Sequence, residues 1–571
     1  MKKMSFGKIK KAILFVSFLV FISCEVFANS SNEPLVNQDF ELGATSAWAI
    51  NSWSESIASM QVGAPGKDNS KFSLKIAISE NPSSSVFKHV VQLQAGHIYQ
   101  VSAWVKADKE TKVSMKLQKD VASYNTWGQQ TITATSNWKQ IVFVGSPKDG
   151  DPSRIIFFLS DINVSVYVDN VSLIDYTNNT TFNKKIVPKT LFCMHSNKGH
   201  ILDLWPAISK ADVGMIRLMD SGVNWPYIEA QKGVFTWARM QMYVDRIKKY
   251  IPDSKIMYTF SDVPGWANGN KGGGYAPLDM GDWKNFVTRL VDKYGDVIDY
   301  YEMWNEFDYS LFWAESSEKM LEMHKIAYEI IRKKDPTAKI LLPNITIFGL
   351  PRLEEYLALG GGDYADIAAI HFYPEINKIE ESLMFAHSVR NLLESYGHSD
   401  MPILNTEGSP VTDGQALTSK QERSSVARYT LMTWVAGMDA ACWYFWENIQ
   451  ENKRIVFAGD EGTWASLNDS AIAYKQLSDW LIGTNVTDFV VDRDSQTYQI
   501  KVEKDGKYLG WIVWASQSVD YSPLEDWKIK VIDLLDGSTK NYTGGKISLD
   551  IEPVFLRQGD LIEKPVLRMS P

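Results

Sequence analysis

Cysteine is nearly absent: three in 571 residues. Cys24 directly follows an N-terminal leader, which leaves Cys193 and Cys442. A chain this long with two cysteines is not held by a disulfide framework. Both lie inside apolar runs and read as buried free thiols. Neither has a base at motif spacing, which argues against a cysteine nucleophile. Histidine is scarce too, and the eight are scattered without metal-ligand spacing. Positive charge is in deficit. Residues 1–23 hold five lysines and no acid, so the net charge of −9 becomes −14 without them. So acidic a chain is a poor partner for nucleic acid or anionic lipid. No internal repeat appears in the barrel-length middle of the chain. A Gly-rich phosphate loop is missing as well, since Met194-His-Ser-Asn-Lys-Gly199 does not supply one. Its lack argues against a doubly wound open sheet.

What is present begins with a leader. Lys2, Lys3, Lys8, Lys10 and Lys11 form a basic region, and Ala12 to Ser23 form an apolar one, so residues 1–23 read as a signal peptide. The apolar run is too short for a membrane span. Phe21-Ile-Ser-Cys24 resembles a bacterial lipobox, with Phe where Leu is usual, and Val26-Phe-Ala28 resembles an ordinary cleavage site. The apolar run ends at Cys24, which favours a lipid anchor there and an outer-membrane or cell-surface lipoprotein. Soluble secretion is the alternative. Residues 24–34 are the tether.

The length predicts two to four domains. Aromatics make up 12% of residues, with 20 Trp, which fits a large core or stacking on sugar rings. Residues 35–176 show short alternating runs between turn residues, such as Tyr99–Lys106, Ile155–Leu159 and Val164–Asp169. That pattern predicts a β-sandwich. Residues 177–187 are a polar linker. Across 188–484, apolar strand candidates alternate with amphipathic helices such as Asp282–Tyr294 and Glu318–Lys333. The strand candidates are Leu191–His195, Met215–Leu218, Lys255–Phe260, Val297–Trp304, Lys339–Leu342, Ile367–His371, Ile403–Thr406 and Ala441–Trp446. Eight such pairs predict a (β/α)8 barrel. Alternation returns over 485–571 and predicts a C-terminal β-sandwich. The fold class is therefore a TIM barrel flanked by two β-sandwiches.

Chemistry collects at predicted strand ends, where barrel enzymes keep it. Tyr300-Tyr-Glu-Met-Trp-Asn-Glu-Phe-Asp308 ends the fourth strand on Asn305 and Glu306. Met401-Pro-Ile-Leu-Asn-Thr-Glu407 ends the seventh on a second carboxylate. Two carboxylates at strand ends are the minimum for cleaving a glycosidic bond. Asn305 is placed for a substrate hydroxyl, and Arg217, ending the second strand, for keeping a carboxylate ionised. Glu302 and Glu447 compete as acids; Glu302 shares the side parity of Glu306 but sits deeper.

Trp304-Asn-Glu306, Asn405-Thr-Glu-Gly408 and His371-Phe-Tyr373 resemble the motifs of clan A glycoside hydrolases. Ile216-Arg-Leu, Ile228-Glu-Ala-Gln-Lys-Gly233 and Phe235-Thr-Trp237 resemble family 39 and its exopolysaccharide-cleaving relatives. The resemblance covers roughly 188–560. It implies a retaining β-glycosidase with Glu306 as acid/base and Glu407 as nucleophile. It further implies that Tyr373 holds the nucleophile, that His371 lies near the acid/base, and that Trp446 or Trp443 floors the −1 subsite. Trp266, Trp313 and Trp225 are candidates for other subsites. Phe307-Asp308 replaces the Pro-Asn often found there, which weakens transfer of xylosidase or iduronidase specificity. Val36-Asn-Gln-Asp-Phe-Glu41, Tyr99–Trp104 and Tyr167-Val-Asp-Asn-Val-Ser-Leu173 resemble carbohydrate-binding modules of the family 4/9/22 type. That resemblance implies glycan contacts from Trp48, Trp53, Tyr124 and Trp127, and a structural Ca²⁺ through Asp39, Glu41 or Asp169. No cofactor or catalytic metal is expected. The partner is a polysaccharide, and the accessory module favours endo cleavage. A non-catalytic glycan-binding surface protein, an exo-acting β-xylosidase-like enzyme and a transglycosylase are the alternatives.

Overall fold

A computed structural model describes residues 35 to 559, apart from 36–38, 42, 46, 53–56, 68–69, 81–84, 96, 98, 176–184, 413, 415, 448–454, 459–465 and 493–496. The leader with Cys24, most of the linker and Trp53 lie outside the described residues.

The N-terminal region is two antiparallel five-stranded sheets packed face to face. One runs Trp48–Ser52, Ser85–Val91, Ser153–Leu159, Thr111–Lys119, Thr126–Ala134 in spatial order. The other runs Ala58–Ala64, Ser73–Ile78, Ser165–Asp175, Tyr99–Ala107, Lys139–Gly145. Side chains on a strand alternate between faces. Val113, Met115 and Leu117 accordingly enter the core, while Lys112, Ser114 and Lys116 do not.

The middle region is an eight-stranded parallel sheet. Its strands are β1 (Phe192–His195), β2 (Met215–Leu218), β3 (Lys255–Thr259), β4 (Tyr300–Glu302), β5 (Lys339–Leu341), β6 (Ala368–His371), β7 (Ile403–Gly408) and β8 (Met438–Trp443). β1 pairs with both β2 and β8. The bridges Leu341–Ile367 and Ile345–Ile370 join β5 to β6 and close the barrel. Helices cover the outside because each has one apolar stripe. Met280–Tyr294 buries Trp283, Phe286, Val287, Leu290, Val291 and Tyr294, a 3.6-residue spacing. Its first turn is capped by Asp279, which accepts the Gly281 N–H at 2.8 Å. Each large side chain on that stripe contributes about 1.5–3 kcal/mol by burial. Trp283→Ala would lose about 3–5 kcal/mol, the largest single loss on this helix.

Two sequence expectations change here. The fourth strand is regular only over Tyr300–Glu302. Val297 and Ile298 instead donate back to the Tyr294 carbonyl and close the preceding helix. Cys193 and Cys442 are not free thiols. They lie opposite each other in register on β1 and β8 and form a disulfide inside the barrel. Barrel closure makes the first and last strands neighbours, which their separation of 249 residues conceals.

The C-terminal region has a six-stranded antiparallel sheet with a two-stranded companion. Trp514 on its strand Lys507–Ala515 donates to Glu380 at 3.2 Å, and Arg428 on the helix Ser419–Val435 grips the same carboxylate at 2.6 and 2.7 Å. This buried ion pair ties the sheet to the barrel. On the other side, Ser388 on the helix Ser382–Ser395 donates to Gln100 of the sandwich at 2.7 Å. Among the described residues, no helix is long and apolar enough to cross a membrane.

Candidate active site

The site sits at the C-terminal mouth of the barrel and centres on Glu407. Strict alternation from the inward Leu404 would turn Glu407 away from the barrel axis. A bulge prevents this. Ile370 pairs with Asn405 but His371 pairs with Glu407, so Thr406 is an extra residue. The extra residue re-aims the carboxylate inward, as bulges beside active sites do. Gly408 follows because a Cβ there would lie 2.1 Å from the Phe372 carbonyl oxygen and from the Tyr429 hydroxyl.

Both oxygens of Glu407 are held. Arg217 Nη1 donates to Oε2 at 2.7 Å, and the Tyr373 hydroxyl donates to Oε1 at 2.6 Å. Burial pushes this carboxyl up, but His371, the Arg217 guanidinium and the Tyr373 bond prevail, and it falls to about 2. Glu407 is thus a carboxylate at any ordinary pH.

Arg217 is fully buried and organises the floor. It donates to Glu302 from Nε at 2.8 Å and from Nη2 at 2.5 Å, and to Asn305 Oδ1 at 2.9 Å. Glu302 also accepts from Thr259 at 2.7 Å and has no solvent exposure. It is therefore the counter-ion of Arg217 and not a reacting acid. Arg217 Nη2 also lies 3.4 Å from His371 Nε2, and His371 Nδ1 lies 2.9 Å from Glu306 Oε1. His195 donates from Nε2 to the Thr406 carbonyl at 3.0 Å. Burial and then the nearby Arg217 charge push this imidazole down to about 3, so it is neutral.

Glu306 follows β4 with φ 40°, a left-handed conformation. Its N–H is fixed by Asn344 Oδ1 at 2.7 Å. One carboxylate oxygen of Glu306, one of Glu407 and one nitrogen of His371 all lie within 4.8 Å of one another. Arg217, Asn305, Glu306, His371, Tyr373 and Glu407 thus form one connected network.

The tryptophans fall elsewhere. Cys442 points into the barrel, so Trp443 points out, donating to the Ile455 carbonyl at 3.0 Å and stacking on Phe457. Trp446 is fully buried against the same Phe457. Neither floors the cleft. Tyr444 between them was missed by sequence reasoning. Its hydroxyl is bonded to Asp220 and, at 3.1 Å, to Asn197, and its ring lies 5.0 Å from His195. Burial and the neighbouring Glu407 push Asp220 up. An acid just past a strand end was the available signal. Trp313 is buried edge-on to Trp304, and Trp225 is also core. Trp266 is half-buried against Trp225 and donates to the Glu229 carbonyl at 2.8 Å. Glu447 lies outside the network. It is buried, accepts from the Lys198 N–H, and is pushed up to about 8 by burial.

In the N-terminal sandwich, Trp48 is core, packed on Phe40, His89 and Phe157. Tyr124 is exposed, with the Arg154 guanidinium 4.8 Å from its ring. Trp127 is half-buried. The acids expected to hold calcium each accept hydrogen bonds from nearby protein donors. Glu41 accepts from Ser70 and the Phe72 N–H, and Asp169 accepts from the Lys67 and Asn170 N–H groups. Asp39 accepts from the Glu41 N–H at 3.3 Å.

Residues 32–161 match the family model of a carbohydrate binding domain. The fold is similar to that of a family 39 glycoside hydrolase from the gut symbiont Bacteroides cellulosilyticus WH2. That pair is 15% identical with a TM-score of 0.53, covering 79% of this chain and 95% of that one. A monomeric β-xylosidase from Caulobacter crescentus CB15 is 14% identical with a TM-score of 0.47, covering 66% of this chain and 97% of that one. No curated protein matches the chain. The first likeness establishes a shared fold: a (β/α)8 barrel flanked by antiparallel sheets.

Proposed function

We propose that the chain is an exported, retaining β-glycosidase that cleaves a polysaccharide by double displacement. The observation that carries this is that one carboxylate oxygen of Glu306 and one of Glu407 lie within 4.8 Å of each other. Retaining enzymes keep their carboxyl groups about 5–5.5 Å apart, whereas inverting ones leave about 6.5–9.5 Å for a water.

Glu407, clamped by Arg217 and Tyr373, attacks the anomeric carbon, and the glycosidic C–O bond breaks. Glu306 gives its proton to the leaving oxygen. A covalent glycosyl–Glu407 ester remains. Glu306, now a base, takes a proton from water, and the hydroxide equivalent displaces Glu407. His371 faces Glu306 along the whole cycle and holds its carboxyl in line. Arg217 holds Asn305 by Oδ1, which leaves the amide Nδ2 for the sugar 2-hydroxyl, a contact that strengthens at the transition state.

Azide rescue tests the assignment. An activated aryl β-glycoside leaves without protonation, so Glu306→Ala should still form the intermediate, and azide should release it as the β-glycosyl azide. Glu407→Ala should give the α-azide, because azide then enters from the opposite face. The same anomer from both variants would refute the roles.

A further inference from the structure

A cleft of about 470 Å³ runs between the N-terminal sandwich and the barrel. Trp127 and Gln129, on the strand Thr126–Ala134, line its sandwich side. Ile347 and Phe348 beyond β5, and Phe372 beyond β6, line its barrel side. Phe348 is 71% exposed and Ile347 39% exposed.

We infer that this cleft is a sugar-binding subsite on the leaving-group side of the scissile bond, built jointly by the two domains, with Trp127 and Phe348 as its stacking platforms. The inference rests on the glycosidase reading and adds to it the path of the substrate.

Position is the first support. Phe372 directly follows His371, which contacts Glu306, and its ring turns to the outside of the barrel against Phe385, so the cleft borders the outer flank of the β6 loop. The loop bearing Phe348 is fastened to the loop bearing Glu306. Asn344 takes the Glu306 N–H, and Asp308 takes the Thr346 N–H at 2.9 Å and its hydroxyl at 2.6 Å. The general acid must stand beside the leaving oxygen. A chain departing past Glu306 therefore meets the β5 and β6 loops, and beyond them the sandwich.

Chemistry is the second support. Stacking aromatics beside a glutamine amide suit the apolar faces and hydroxyl edges of a sugar. No carboxylate lines the cleft, and Lys378 is its one charged group, so a cationic peptide would find no partner there. The volume falls in the range of about 300–1,000 Å³ usual for ligand sites. Geometry is the third. The two walls are held together by the buried bond between Ser388 and Gln100, so the cleft is braced before the chain arrives.

The test uses the full chain with Trp127→Ala, Phe348→Ala and both together. Substrates are an aryl β-glycoside turned over by the unaltered chain, and whichever of xylan, β-glucan, galactan or mannan it cuts fastest. On the polymer, KM should rise about tenfold for each single variant and further for the double, with kcat within about twofold. The aryl glycoside, which does not reach the cleft, should be cleaved as before. Reducing-end-labelled oligosaccharides add a readout that a separate binding face would not move: the double variant should release shorter labelled fragments. An unchanged cleavage pattern, an unchanged polymer KM, or an equal loss on both substrates would each overturn the inference. Failure of the unaltered chain on the aryl glycoside would instead strike the glycosidase reading, and the subsite would fall with it.

Discussion

Replacing Arg217 by Met removes the one cation that faces both Glu302 and Glu407. Glu407 lies at about 2 against an ordinary 4.5, which at ~1.4 kcal/mol per pH unit is a preference of about 3 kcal/mol for the ionised form. Arg217 is one of its main sources, beside His371. The sign follows from linkage. A depressed carboxyl adds stability that is present above pH 4.5 and lost as the pH falls through about 2. Without Arg217, two buried carboxylates share a floor with no counter-ion, at a cost of about 3–5 kcal/mol. Each relieves that cost by taking a proton, and a protonated Glu407 is no nucleophile. The acid limb of kcat/KM on an aryl β-glycoside should therefore move upward, and denaturant unfolding should show the loss of stability. Adding Glu302→Gln removes one of the stranded charges. The double variant should recover about 1–3 kcal/mol relative to the sum of the singles, the coupling expected of direct contact. Arg217→Lys keeps the charge but not the planar fork that reaches Glu302, Asn305 and Glu407 together, so it should fall between. A folded Arg217→Met variant with unchanged stability and an unmoved acid limb would refute the reasoning.

Tyr373→Phe removes a hydrogen bond to a buried carboxylate, worth about 1.5–3 kcal/mol. It should lower kcat/KM roughly ten- to a hundredfold while leaving the melting temperature nearly unchanged, which steady-state kinetics and calorimetry would separate. Glu447, pushed up to about 8, binds a proton in the fold that the unfolded chain has already lost above 4.5, so stability falls as pH rises between these values. Glu447→Gln should flatten that slope, raising the melting temperature by ~5 °C at alkaline pH and not at acidic pH; identical pH dependence would show that Glu447 is ionised in the fold. Gly408→Ala drives a methyl into the Phe372 carbonyl and the Tyr429 hydroxyl. It should cost about 1–3 kcal/mol and move Glu407, giving an activity loss larger than the stability loss; wild-type turnover would mean the strand yields freely.

Much of this was readable before the fold was seen. Met215–Leu218 is identical as prediction and as strand, and Lys339 and Ile403 begin their strands where an apolar run begins. An apolar run that stops on a carboxylate is hard to mistake, so Glu306 and Glu407 stood out. What stayed hidden depends on closure and parity. The direction of Glu407 hangs on one unpaired residue, Thr406, which no composition reveals. Trp443 faces out because Cys442 faces in, and that is known only once β8 is seen to begin at Met438. Tyr444 and Asp220 meet across the barrel mouth from strands 224 residues apart in sequence. Glu302 was set aside for its depth, and that same depth is what makes it the counter-ion of Arg217.

The link between Cys193 and Cys442 turns the barrel from a rolled ribbon into a covalent hoop. Each of the seven turns between β1 and β8 lies inside that hoop, so a protease that nicks one leaves both pieces attached. Such a nicked chain would run as one band without reductant and as two with it. The seam that the link fastens is also where both flanking regions attach. The sandwich enters ahead of β1, and the C-terminal sheet leaves after β8, with Val187 bonded to Thr484 at the crossing. A pull on either appendage reaches the barrel through that seam and also through the Ser388–Gln100 and Trp514–Glu380 bonds beside β6 and β7.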